Sequence, residues 1–253
     1  MSVVYTTRSL QKIFQSVSVK RPWLRPLLLC LLLLLAVGIN IALRVTALTP
    51  NTLITSFMQL WMISFLPYFA ACALVLTTRA RTGVWQAVEL VVLLVGALLL
   101  RALLLPVPPV LSHDSWRYVW GARVTLHGYS PYVYAPGDPR FLTLRDFIYD
   151  NSRFRNVPTV YPPGAQAIYI LSYLIAPSNL FVLKGIFLGF DLVTCIALAL
   201  LLRRRGLDLS RSVIYAWCPL PIVEFAIQGH VDALTVAFTA LTILCAHGEE
   251  HVA

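Results

Sequence analysis

Asp114 is the side chain of this sequence whose type and setting best suit bond-making chemistry. It stands in the run His113-Asp114-Ser115-Trp116-Arg117-Tyr118, inside a charged, aromatic, Pro/Gly-punctuated stretch from Ser112 to Pro163 that separates long apolar blocks. A carboxylate beside an attacking hydroxyl can take its proton as the new bond forms, the work of a general base. Arg117, three residues on, would share a helix face with Asp114 and could pair with it. A structural use competes with the chemical one. Asp is a common N-cap, and a helix is expected from Ser115 to about His127.

A second group of charged residues lies where charge is costly. Glu224 follows Trp217 within an apolar run. A charged side chain at the centre of a bilayer is disfavoured by about 2.5 to 3.5 kcal/mol, so Glu224 requires a partner or a ligand. It leads to Gly229-His230-Val231-Asp232, where His230 and Asp232 could orient phosphate or hydroxyl groups, or simply begin a helix with a cap. A metal held by Glu224, His230 and Asp232 is not favoured, given the mixed ligand types. Asp191 sits midway along another apolar segment, with Phe187, Leu188, Thr194 and Cys195 one turn away. It must be protonated, paired across helices or beside a polar cavity. Lys184, two turns off, is expected to snorkel.

These residues are set among elements that composition identifies. Hydrophobic residues make up 58% of the chain and charged ones 12%, with a mean hydropathy of +0.76; soluble domains carry about 25% charged residues. The expected fold class is an all-α polytopic membrane protein. The net charge of +9 does not point to nucleic acid, because the basic residues lie mostly at the ends of apolar runs, where they orient helices and meet anionic headgroups. The five cysteines lack CxxC spacing and fall in or beside apolar segments, which suggests neither zinc nor a disulfide framework. Lys20, Arg21 and Arg25 before the leucine run look like a signal peptide, but without a clean cleavage site the run is read as a retained helix.

A span needs about 20 apolar residues. Leu27 to Leu48, Leu53 to Leu76 and Val84 to Leu105 qualify, with Pro67 expected to kink the second. The positive-inside rule puts Arg25, and then Arg79 with Arg81, in the cytoplasm. The chain then divides into a cytoplasmic tail (1–26), three transmembrane helices (27–105), an extracytoplasmic loop (106–163), a re-entrant segment with further transmembrane helices (164–246) and a C-terminal tail (247–253). Ala165 to Ala176 is too short to span, so it is read as re-entrant or interfacial, which leaves Arg203-Arg204-Arg205 cytoplasmic at the end of Leu180 to Leu202. Ser212 to Gln228, broken by Pro219 and Pro221, returns outward and delivers His230 to the loop's face, and Val231 to Ala246 crosses last. Gly185 and Gly189 fit GxxxG, a signature of close helix packing.

Within the loop, Trp116, Val119, Trp120 and Val124 repeat at helical spacing, as in an interfacial helix anchored by its aromatic rings. Six arginines stand against four aspartates there, on a face where basic residues are normally fewer. Such an excess suits an anionic ligand or lipid, since guanidinium makes bidentate contacts with phosphate.

Several of these motifs occur together. His113-Asp114-Ser115-Trp116-Arg117-Tyr118-Val119-Trp120-Gly121 is followed by His127-Gly128-Tyr129-Ser130-Pro131-Tyr132, and Tyr161-Pro162-Pro163 by Gln166. Trp217-Cys218-Pro219-Leu220-Pro221 then leads through Glu224 to Gly229-His230-Val231-Asp232. In type and order these resemble the polyprenol-phosphate-dependent GT-C glycosyltransferases, mannosyltransferase-like members especially, over roughly Leu111 to Ala246.

The resemblance implies a GT-C-like helix bundle in the cell membrane that moves a hexose, mannose in the members it resembles most, from a polyprenyl-phosphate carrier to an extracytoplasmic glycolipid or glycan by inverting displacement. It implies Asp114 as the base, and His113, Arg117, Tyr118, Arg123, Tyr132, Tyr161, Gln166, Glu224, His230 and Asp232 as substrate-binding residues. The lipid-linked sugar, the acceptor and membrane lipids are the partners; no metal or other cofactor is expected. The family usually carries a second acid just before the glycine after the tryptophan, whereas here Trp120 is followed directly by Gly121, which speaks against a two-carboxylate or metal-assisted version. The family generally carries further membrane helices, which implies a fragment or a split form completed by a second polypeptide. Two other readings stand beside this one. One is a lipid or solute transporter using Asp191 and Glu224; the other is an inactive homologue acting as a partner subunit.

Overall fold

A computed structural model of the chain describes residues 21–49, 54–78 and 83–249. Arg79 and Arg81, used above to orient the second and third spans, lie outside these residues. In chain order the helices are α1 (Leu24–Leu48), α2 (Ile54–Thr77), α3 (Val84–Leu104), α4 (Asp114–Leu126), α5 (Phe147–Asn151), α6 (Pro163–Ile175), α7 (Leu180–Arg204), α8 (Val213–Ala216), α9 (Pro219–Val223) and α10 (Asp232–Glu249). Short 3-10 turns lie at Pro139–Leu144 and Leu209–Ser212, and a π-helical turn at Glu224–Gln228.

Helices α1, α2, α3 and α7 are long and apolar enough to cross a membrane. Their outward faces are hydrocarbon; Leu34 and Leu66 are each 67% exposed. Contiguous apolar surface of this kind is stable against lipid rather than water. The protein is an all-α polytopic membrane protein. Pro67 lies inside α2 without ending it. Helix α6, with 13 residues, would reach only about 20 Å at 1.5 Å per residue, and it packs on α4 and α7.

Two polar networks tie the helix ends together. At one end Arg25 is almost fully buried; it reaches Glu89 at 3.3 Å, Asp208 at 3.1 Å and Ser210 at 2.9 Å. This gathers the start of α1, the start of α3 and the turn after α7. At the opposite end of α7 the Lys184 ammonium donates to the Val107 carbonyl, just beyond α3. Lys184 therefore does not snorkel: its side chain is 3% exposed and turned into the protein.

The stretch from Ser212 to Gln228 is a broken helix, as its prolines require. Pro219 and Pro221 lack N–H groups, and a break inside hydrocarbon leaves carbonyls whose desolvation costs several kcal/mol each unless paired. Side chains from neighbouring helices pair them. Tyr68 donates to the Ile214 carbonyl, Arg101 to that of Ala216, and Trp61 to that of Pro219. Trp217 donates to the Leu93 carbonyl and lies against Gly96, where an added Cβ would come within 2.5 Å of its indole nitrogen. Arg101 also meets Asp191, whose other oxygen accepts from the Tyr215 hydroxyl at 2.7 Å. Asp191 is thus paired across helices.

Two packing expectations are corrected. A Cβ on Gly185 or Gly189 would meet nothing within 4 Å, so the GxxxG pair is not a close-packing face; α7 meets α10 through Ala197, Ala240 and Leu244 instead. Helix α4 is enclosed rather than laid on the interface. Its Val119, Trp120 and Val124 are buried, and Trp120 packs on Tyr149 and Phe141. A helix enclosed by its own loop shows the same apolar periodicity as one lying on lipid.

Candidate functional site

Two stretches 118 residues apart meet at the Lys184 end of the bundle. The Gln228 side-chain oxygen accepts from three successive backbone N–H groups, Val110 at 3.1 Å, Leu111 at 3.0 Å and Ser112 at 3.2 Å. This single amide fixes the strand of chain that leads into Asp114. The next residue, Gly229, is left-handed (φ +67°), and an added Cβ would lie 2.8 Å from Lys184 Cγ and 3.3 Å from Ser115 Cβ. Both conformation and space demand glycine. The turn thereby presses Gly229-His230 against Ser115 at the start of α4.

The π-helical turn sets the next contact. Its wider spacing lets the His230 backbone N–H donate to the Glu224 carbonyl at 3.1 Å while His230 Nδ1 lies 2.5 Å from Glu224 Oε2. Single π turns of this sort often mark functional sites. Burial pulls the His230 pKa down, but the Glu224 hydrogen bond and the negative charges of Glu224, Asp114 and Asp232 outweigh it, so the pKa is raised. The imidazole thus has its Nδ1 on Glu224, and its buried Nε2 has no protein partner.

Asp114 and Asp232 are the first residues of α4 and α10, where the helix dipole favours negative charge. Asp114 is not an N-cap: its own N–H goes to Ser112 Oγ at 3.1 Å and its side chain makes no cap bond. Arg117 turns away, donating to the Val157 carbonyl, and burial lowers its pKa to about 10. The Tyr161 phenol feels both Asp114 and Asp232, and its pKa is raised, by burial first and then by these charges. Tyr118 stacks on Tyr169 with 4.5 Å between centroids and meets Tyr161 edge-on at 4.8 Å. The hydroxyls of Tyr169 and Ser115 are buried without a hydrogen-bond partner.

Asp114, Tyr161, Glu224, His230 and Asp232 therefore share one neighbourhood. A groove of about 380 Å³ opens beside Glu224, His230 and Asp232, its remaining walls including Leu220, Phe225, Val236 and Tyr215. Its lining, mostly apolar with Glu224, His230 and Asp232 as the charged members, fits a molecule with a hydrocarbon part and a polar head.

The other expected residues brace the loop. His113 Nδ1 lies 2.8 Å from the Asn151 carbonyl, and the Tyr132 hydroxyl donates to that of Tyr161 at 2.8 Å. Gln166 donates to Thr159 at 2.9 Å, and its carbonyl faces Gly121, where a Cβ would come within 3.3 Å. Arg123 is buried and holds Asp146 bidentately at 2.7 and 2.9 Å, with Leu144, Tyr173 and Ser178 taking further bonds. That hydrogen bond lowers the Asp146 pKa. Arg145 and Arg155 each lie over the Tyr149 ring, at 4.6 and 4.4 Å from its centroid, and donate to loop carbonyls. Arg140 lies over Tyr134 at 4.4 Å. The loop's basic excess is therefore largely spent on its own folding.

Gln228, Tyr169 and Ser115 were not anticipated. A buried amide before a glycine in an apolar run was the available signal for Gln228, because such a group must find partners. Comparison with protein-family models, curated proteins and solved structures gives no match to this chain.

Proposed function

We propose that the chain is an integral membrane glycosyltransferase of GT-C type, moving a hexose from a polyprenyl-phosphate carrier to a hydroxyl of an extracytoplasmic glycolipid or glycan. The observation that carries this reading is that His230, which lines an apolar groove together with Glu224 and Asp232, also lies close enough to Asp114 to feel its charge. The acceptor oxygen attacks the anomeric carbon, the bond from that carbon to the phosphate oxygen breaks, and the configuration inverts. Asp114 takes the acceptor proton. His230, held at Nδ1 by Glu224, offers its Nε2–H to the departing phosphate when the ring is doubly protonated, and in that form offsets its charge. The groove takes the first part of the lipid chain.

Membranes holding this chain and membranes lacking it are to be incubated with a panel of labelled polyprenyl-phosphate hexoses. A labelled glycolipid or glycan formed only with the chain supports the proposal. Movement of the intact labelled donor across the membrane without a new glycosidic bond would replace it with transport.

A further inference from the structure

We infer that a second cavity, at the outer end of α7, binds the phosphate of a membrane lipid, with Lys184 as its cation. The inference stands apart from sugar transfer and starts from a charge that the fold leaves without a counter-ion. Lys184 is 3% exposed, and its ammonium, with three donors to place, gives one to the neutral Val107 carbonyl. Among the described residues no carboxylate lies within ion-pair distance of it. A buried charge without an opposite partner is costly, and an arriving anion would remove that cost.

The place for the anion is beside it. A cavity of about 430 Å³ reaches Lys184 between Pro106–Pro109 and the α6–α7 turn, with Trp116 and Phe181 among its apolar walls and Ser178 and Asn179 among its polar ones. It also lies near the N-terminus of α7, a helix of 25 residues whose Phe181 and Val182 N–H groups are capped by the Asn179 side-chain oxygen, so the helix contributes positive potential there rather than hydrogen bonds. The loop arginines are poorer candidates, since Arg117, Arg123, Arg140, Arg145 and Arg155 are each engaged with carbonyls, rings or aspartates. Apolar walls around a cation at a helix end near the membrane boundary select an anion joined to hydrocarbon. The stem of Lys184 also runs beneath Gly229 and Ser115, so the cavity backs directly onto the Asp114–His230 neighbourhood.

The test uses the full chain in neutral detergent, titrated with oleoyl lysophosphatidic acid, which is no polyprenyl phosphate, and with monoolein and inorganic phosphate, followed by tryptophan fluorescence and thermal shift. Lysophosphatidic acid is expected to bind, more weakly by at least about tenfold in Lys184→Met and with little change in Lys184→Arg. Phe181→Asp provides a variant that leaves the lysine in place. Its carboxylate suits the first turn of a helix, yet it repels phosphate at the cavity mouth, so binding is expected to weaken there too. Binding of lysophosphatidic acid unweakened in either Lys184→Met or Phe181→Asp would overturn the site. Equal binding of monoolein would overturn the phosphate, and Lys184-dependent binding of inorganic phosphate as tight as that of the lipid would overturn the lipid.

Discussion

Replacing Gln228 with leucine should loosen the approach to Asp114 while leaving the helix bundle intact. The side-chain oxygen accepts from Val110, Leu111 and Ser112, and bonds of this type contribute about 1 kcal/mol each, so their loss removes about 3 kcal/mol. The Gln228 amide nitrogen is buried without a partner, and deleting it returns about 1 kcal/mol. The net, about 2 kcal/mol, corresponds to about a 30-fold rise in the local opening equilibrium. Hydrogen exchange of the full chain in detergent, read on peptides containing residues 110–112, measures this directly. Protection there is expected to fall by about that factor, with peptides from α2 unchanged. Gln228→Glu, which keeps an acceptor oxygen in the same place, should retain most of the protection. Unchanged protection in Gln228→Leu would refute the reasoning, because the three N–H groups would then owe nothing to this side chain.

Three further expectations follow from the same structure. Gly229→Ala should destabilise by at least about 1 to 2 kcal/mol through its left-handed backbone alone, with the Lys184 contact adding to it; Gly189→Ala, which meets nothing within 4 Å, should be neutral or stabilising, and chemical unfolding in micelles compares them. Arg101→Met should cost about 3 to 5 kcal/mol by stranding buried Asp191, and the double variant Arg101→Met/Asp191→Leu should lose less than the two single losses combined. The raised His230 pKa fixes the sign of a pH effect. A raised folded-state value means that the Glu224 contact contributes fully below the ordinary histidine range, about 6.5, and is lost as pH rises through the raised value. The difference in Tm between wild type and Glu224→Gln should therefore be larger below that range than well above it, and the opposite trend would contradict the pairing.

The spans and the limits of α4 were legible because each depends on local pattern, namely run length, hydropathy and helical period. The broken helix was legible too, since Pro219 and Pro221 announce it. What remained hidden depends on which residues face one another across the bundle. Lys184 reads as a snorkelling cation when its distance along α7 is known and its direction is not. Arg101 ends an apolar span and looks like a boundary marker, yet it lies against Asp191, 90 residues away. The α4 stripe reads equally as an interfacial or an enclosed helix, and the fold of the loop decides between them. Topology and resemblance place Gly229-His230 on the same face as the start of α4, and Gly229 does lie against Ser115, whereas Gln228, the amide that joins the two stretches, was not anticipated. Its signal is a single polar residue whose partners are backbone groups, which no side-chain motif records.

The most direct measurement is the rate of hexose transfer from the polyprenyl-phosphate donor by Asp114→Asn and wild-type chains present in equal amounts and with equal thermal stability. A general base contributes about 100-fold or more, so the account predicts at least that loss in the variant. Equal rates would contradict the assignment of Asp114 as the group that takes the acceptor proton.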